Sequence, residues 1–296
     1  MDVSDCRNTV RKRIQAAFSI LHQTPCLEML ALYFDVFYED TCIAGSWAAY
    51  THQWDIVYAL GSNRKPLPEL RSLKLHGLQG GSMFMSLFDE APIAWLAASL
   101  RHLSFSLPES LKNEQSREQF WKEAMVRRVL QPAVNLESLA ITRSRVRNWD
   151  KVPCLELSQA RLDTYPRLAA LSLRGIVWED GTIDEGDIVT PPPLEDFIVR
   201  HRKTLKKLEL HGCSIVTGDY GRKLPLCYWA DIYKRLAEAL TKLVELEVEF
   251  SVEECQSPYI YSSDIPLKTE RDAPALEEFK AIVKNQGVGY SSGFRP

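Results

Sequence analysis

The sequence contains no apolar run approaching the roughly 18 residues that a membrane-crossing helix needs. Its opening stretch, MDVSDCRNTVRKRIQAAFSI, lacks the apolar core of a secretory signal and reads instead as an amphipathic helix. No Cys-x-x-Cys pair and no Asn-x-Ser/Thr acceptor occurs, and the cysteines (Cys6, Cys26, Cys42, Cys154, Cys213, Cys227, Cys255) are odd in number. These absences point to a reducing, intracellular compartment, cytoplasmic or nuclear, with the cysteines acting as small buried apolar side chains. An excess of one charge is also missing. Lys and Arg number 36 against 39 Asp and Glu, a net −3 that offers no general attraction to nucleic acid or to an anionic membrane. Hydrophobic residues make up 45%, enough for a substantial core.

Motifs of catalysis are equally scarce. Neither G-x-G-x-x-G nor G-x-x-x-x-G-K-[ST] is present, so no phosphate-binding loop and no nucleotide cofactor is expected. The histidines (His22, His52, His76, His102, His201, His211) include no pair four residues apart. His76 and His102 fall on neighbouring repeats, but no cysteine or carboxylate accompanies them to complete a metal site, and exposed polar positions explain them. GYSSG at 289–293 matches the hydrolase elbow G-x-S-x-G. That motif needs a strand before it and Asp and His after it, and the last histidine is His211. No catalytic residue, cofactor or metal is expected, and a binding protein is the better reading than an enzyme.

What the sequence does contain is a repeat. Leu-x-x-Leu-x-(apolar) recurs as LEMLAL from Leu27, LRSLKL from Leu70, LRHLSF from Leu100 and LESLAI from Leu136. It continues as LAALSL from Leu168, LKKLEL from Leu205 and LVELEV from Leu243, with a weaker eighth, LEEFKA, from Leu276. The starts are 43, 30, 36, 32, 37, 38 and 33 residues apart, too regular for chance. In a short strand alternate side chains face opposite ways, so the fourth and sixth positions share one face. The first Leu enters the same core from the preceding turn. No single repeat can bury three such side chains, but neighbours stacked side by side can. Glycine follows the strand at Gly77, Gly175 and Gly212, suited to an exit turn with positive φ.

Segments with helical periodicity lie between the strands: 47–60, 120–130, 194–205 (after three prolines) and 229–240. Strands stack about 4.8 Å apart whereas packed helices need about 8–10 Å, so such a stack must curve. The expected fold is α/β: a leucine-rich-repeat solenoid, a curved arc with a parallel sheet on its concave face and helices on its convex face. Its expected parts are an N-terminal capping helix over 1–26, seven to eight irregular repeats over 27–284, and a flexible tail over 285–296.

LEDFIVRHRKTLKKLELHGCSI and PRLAALSLRGI resemble the irregular repeats of fungal F-box/leucine-rich-repeat proteins, in the ribonuclease-inhibitor-like superfamily. Cys213 occupies the ninth repeat position, where that consensus prefers Asn or Cys. The resemblance implies a curved α/β solenoid and capture of a protein partner for ubiquitination. It departs from the family at the F-box, the short helical module that docks a Skp1-type adaptor. The residues before Leu27 lack a Leu-Pro-x-Glu-Leu opening, and LPESL at Leu107 sits between the third and fourth repeats. Adaptor binding through this chain alone is therefore not expected. The two functional readings are a protein-binding scaffold and a truncated or F-box-less remnant with no dedicated partner.

The third, fifth and seventh positions of each segment should point out of the concave face. The candidate protein-binding residues among them are Tyr33, Lys74, His76, Arg174, Glu209, His211, Glu245, Glu247 and Glu249. The last three form an acidic row, which either receives a basic partner segment or charges an end strand against edge pairing. WEDGTIDEGDIVTPPP (178–193) departs from the spacing of a calcium loop and reads as a solvated loop. Arg143, Arg145 and Arg147, like the cluster from Arg200 to Lys207, lack the interleaved aromatics of a nucleic-acid platform. The tryptophans lie mostly in helical segments and read as core. The expectation is a monomer that engages an unidentified protein, not nucleic acid or membrane.

Overall fold

The computed structural model describes residues 20–34 without 25, 67–77 without 68, 91–107, 129–143, 164–179, 193–216, 228–249, 259–260 and 271–291, plus scattered positions from 9 to 60. The chain divides into two compact units, Met1–Leu136 and Glu137–Pro296.

In the first unit the leading three hexapeptides form strands β1 (Met29–Tyr33), β2 (Ser72–His76) and β3 (His102–Leu107). They pair in parallel with repeat matched to repeat: Leu30 beside Leu73 and Leu73 beside Leu103, Leu32 beside Leu75 and Leu75 beside Phe105. The second unit continues the rule with β4 (Ser138–Arg143), β5 (Ala170–Arg174), β7 (Lys207–His211) and β9 (Glu245–Glu249). There Leu139, Leu171, Leu208 and Leu246 form one ladder row, and Ile141, Leu173, Leu210 and Val248 the next. Leu73, Leu75, Leu103, Phe105, Leu139, Ile141, Leu171, Leu173, Leu208 and Leu210 are all at most 2% exposed. Each buried Leu contributes about 1.5–3 kcal/mol before conformational entropy is subtracted.

Five of the repeat strands are entered in the same way. The backbone N–H of the first Leu donates to the carbonyl three residues earlier: Leu70 to Leu67, Leu100 to Ala97, Leu136 to Ala133, Leu168 to Tyr165 and Leu243 to Leu240, at 3.1–3.2 Å. Those turn residues are themselves buried, a fourth apolar position that the hexapeptide pattern does not reveal. The second residue's carbonyl then accepts two N–H groups from the following repeat. Glu28 receives Arg71 and Ser72, Glu137 receives Ala169 and Ala170, and Lys206 receives Val244 and Glu245. Repeats are thereby clamped at one register.

The exits follow the glycines, with φ of 72° at Gly77, 65° at Gly175 and 57° at Gly212. Beyond two of them the second unit forms a small additional parallel sheet, unanticipated from sequence: β6 (Val177–Glu179), β8 (Ser214–Val216) and β10 (Tyr259–Ile260), in the order β10-β8-β6. Trp178, expected at the start of a solvated loop, instead lies in β6 and is fully buried. It meets Trp229 edge-on at 5.2 Å, and Trp229 stacks on Tyr233 at 5.5 Å.

Besides a 3-10 helix at Ile20–Gln23, four α-helices have described bounds: α1 (Ala91–Ser99), α2 (Pro193–Arg200), α3 (Trp229–Ala239) and α4 (Asp272–Ser291). Helical residues 53, 56, 57, 59 and 60 agree with the helix expected over 47–60, and 12–14 and 16–18 are helical near the N-terminus. α2 ends at Arg200 rather than at Leu205, because 201–204 turn to deliver Leu205 into the core.

LEEFKA is not an eighth strand. It lies inside α4, where Ala275, Leu276, Phe279 and Val283 recur at helical spacing and are buried. Residues 285–291 of the expected tail belong to the same helix. α4 packs on α3 and β9, and the Gln286 amide, with its nitrogen turned toward them, donates to the carbonyls of Leu243 and Leu240 at 2.8 and 3.2 Å. One single-residue expectation also changes, since Cys26 is exposed; His201, for which the sequence set no expectation, is buried. Residues 180–192, 120–128, Arg145, Arg147, the other five cysteines and Trp47, Trp54, Trp121 and Trp149 lie outside the described residues.

Candidate protein-binding face

Alternation along each strand separates an inward Leu row from an outward row of mixed chemistry. β2 is typical: Leu73 and Leu75 are buried, Lys74 is exposed, and Ser72 and His76 are half-buried. All nine candidate residues occupy outward positions of their strands. The two units are described in turn.

In the first unit Tyr33 is 77% exposed and lies flat against the His76 imidazole, with ring centroids 4.6 Å apart and planes 8° from parallel. The register explains the contact, since Tyr33 and His76 are direct cross-strand neighbours. Met29, at the other end of β1, is 58% exposed. Lys74 sits between Ala31 on β1 and Ser104 on β3, both small. Among the described residues no carboxylate pairs with it.

The outward row of the second unit is densely paired. Lys207 Nζ lies 2.9 Å from Glu209 Oε1 and 3.3 Å from Glu245 Oε2. Hydrogen bonds to Glu209 and then Glu245 hold its pKa above the usual lysine value. Burial alone would push the Glu209 carboxyl up, but hydrogen bonds from Lys207 and Ser172 outweigh it and the net shift is downward. His211 Nδ1 lies 2.9 Å from Glu249 Oε2, and its Nε2 lies 3.8 Å from Glu247 Oε1. The hydrogen bond from His211 draws the Glu249 pKa below its ordinary value, with Arg174 adding a weaker pull. Arg174 is exposed beside His211 in the register. The structure therefore gathers Arg174, Glu209, His211, Glu245, Glu247 and Glu249 into one network, and adds Lys207 and Ser172, which sequence reasoning had not selected. Their outward position was legible in the alternation; their pairing depended on the register of β7 against β9.

Behind this sheet several buried polar groups of the helical layer are paired. Glu195, 2% exposed, receives Arg235 Nε at 2.5 Å and Nη2 at 2.7 Å, a bidentate pair joining α2 to α3. Asp272 Oδ1 accepts the Ala230 N–H at 2.9 Å, tying the start of α4 to the first turn of α3. His201 Nε2 accepts the Tyr165 N–H at 2.8 Å, while Nδ1 donates to the Phe197 carbonyl at 2.7 Å. Both ring nitrogens are used by the neutral form, and desolvation lowers the His201 pKa. The Cys213 thiol lies 3.4 Å from the Leu173 carbonyl and donates to it from a buried position.

Among the described residues no group of His, Cys, Asp and Glu is arranged to hold a metal ion, and no helix is long and apolar enough to cross a membrane. Gly289–Ser291 close helix α4, so no strand leads into the G-x-S-x-G match. No family model, curated protein or solved structure matches the chain.

Proposed function

We propose that this chain is a leucine-rich-repeat solenoid whose outward strand face serves as a non-enzymatic protein-binding scaffold. The observation that carries the reading is the contrast between the two rows of each strand. The inward row repeats Leu or its near equivalents in matched register, whereas the outward row changes chemistry from strand to strand. A uniform inner row serves stacking, and a varied, exposed outer row is what recognition requires. Matched parallel pairing, the recurrent entry turn and helices between the strands support the repeat reading within each unit. The resemblance of LKKLELHGC and its neighbours extends the proposal to substrate recognition for ubiquitin ligation, coupled to an adaptor through a partner rather than through these repeats.

The test is photocrosslinking from defined faces. Benzoylphenylalanine placed at Lys74 or Glu247, on the strand face, should yield discrete protein adducts in an extract of the native cell. At Glu238 on α3 or Glu278 on α4 it should not. Adducts from the helix positions alone, or from none, would overturn the scaffold reading.

A further inference from the structure

We propose that the outward face of β1, β2 and β3 docks an extended acidic protein segment bearing an apolar or aromatic side chain. The proposal rests on the scaffold reading and names the partner's chemistry.

Three observations converge on this face. First, it exposes large apolar side chains, Tyr33 at 77% and Met29 at 58%, as no other described strand residue does. A monomer gains nothing from holding Tyr33 in water, and the stacked His76 ring pre-orders it at little entropic cost. Second, the charge on the face has one sign. Lys74 and the imidazoles of His76 and His102 stand on it, and none of the outward positions of these three strands holds a carboxylate. Third, Lys74 is accessible from both sides because its cross-strand neighbours are Ala31 and Ser104.

The spacing suits an extended segment. Side chains on one face of a strand repeat at about 6.6–7 Å, and neighbouring strands lie about 4.8 Å apart. An apolar side chain seated on Tyr33 or Met29 thus leaves the residue two positions on within reach of Lys74. A carboxylate there gains a charge-assisted hydrogen bond that no described residue of the free protein supplies. Nucleic acid is the poorer fit. One lysine and two imidazoles do not make a phosphate-tracking groove, and the chain carries a net −3.

Fluorescence anisotropy on the intact chain decides the matter. The probes are a labelled decapeptide alternating glutamate with threonine around one tryptophan, its lysine-for-glutamate counterpart, and a single-stranded decanucleotide. The acidic peptide should bind and shift the His102 imidazole resonances. Its affinity should fall roughly tenfold in Lys74→Glu, less in Lys74→Met and Tyr33→Ser, and not in Glu278→Gln on helix α4. The methionine variant keeps the aliphatic stem, so a folding defect in the glutamate variant does not obscure the result. Absence of acidic-peptide binding overturns the inference, as does equal or tighter binding of the lysine peptide or the oligonucleotide, or indifference to both Lys74 variants. The scaffold reading survives each of these if strand-face crosslinks persist, and falls with them only if those crosslinks are also missing.

Discussion

On β7 and β9, Lys207 is held by Glu209 and Glu245, and His211 by Glu249; on β2, Lys74 has no carboxylate beside it among the described residues, and the neighbouring Tyr33 stands in water. The two faces use the same strand geometry and the same outward positions. They differ in whether charge is consumed within the protein. Exposed ion pairs add little stability, so the network on β7 and β9 is not there chiefly to hold the fold. Its effect is to leave that face with few free partners. The acidic row Glu245, Glu247 and Glu249, the most conspicuous binding candidate in the sequence, is thus the more self-satisfied face. The quieter triplets of β1 and β2 carry the unmet chemistry.

Perturbing the core should abolish the comparison altogether. Leu208→Asp places a charge in the central ladder row of the second unit, at a site that is 0% exposed. The expected cost is about 3–5 kcal/mol, read as loss of the cooperative thermal transition. A normal melt for this variant would mean that the row is not core.

A smaller effect is expected where the second unit cross-links its helices. Glu195→Gln removes the charge from the bidentate pair with Arg235, whose own side chain is 42% exposed and can rehydrate. About 1–2 kcal/mol should be lost in chemical denaturation. The first unit has no described counterpart to this pair.

Acid should act through His201. Its folded pKa lies below the unfolded value near 6.5, so the folded state binds the proton less readily. The stability this provides is present above that value and lost as pH falls from there through the depressed folded pKa. Melting of the wild-type chain should decline across this window, and His201→Gln should flatten the decline. An unchanged profile in that variant would assign the acid sensitivity elsewhere.

Least of all should follow from replacing Glu245, Glu247 and Glu249 together with alanine. All three are exposed, and the fold should persist with an unaltered melting cooperativity. Collapse of the triple variant would reverse the assignment of strand faces.

Much of the fold was legible because the repeat is written in side chains that alternate over five or six residues. The positive-φ glycines and the helices beginning at Pro193 and Trp229 were legible for the same reason: each is a local signal. α1 escaped notice because APIAWLAAS is apolar throughout and shows no contrast between faces. The β6-β8-β10 sheet escaped because two or three residues are too few to display alternation. LEEFKA fits strand and helix templates equally over six residues, and only the spacing out to Val283 separates them. His201 sits in a run of basic residues that suggests solvent. What buries it is the arrival of Tyr165 from the preceding repeat.

By itself the sequence determined where the seven strands of the main sheet lie, which of their faces turns inward, and that neighbouring repeats must share a core, since each of these follows from side-chain periodicity along a continuous stretch. Only the tertiary structure decided which outward residues are already satisfied. Pairing of Lys207 with Glu245, or of Tyr33 with His76, joins positions 38 and 43 residues apart, and whether they meet depends on a register that no local pattern encodes.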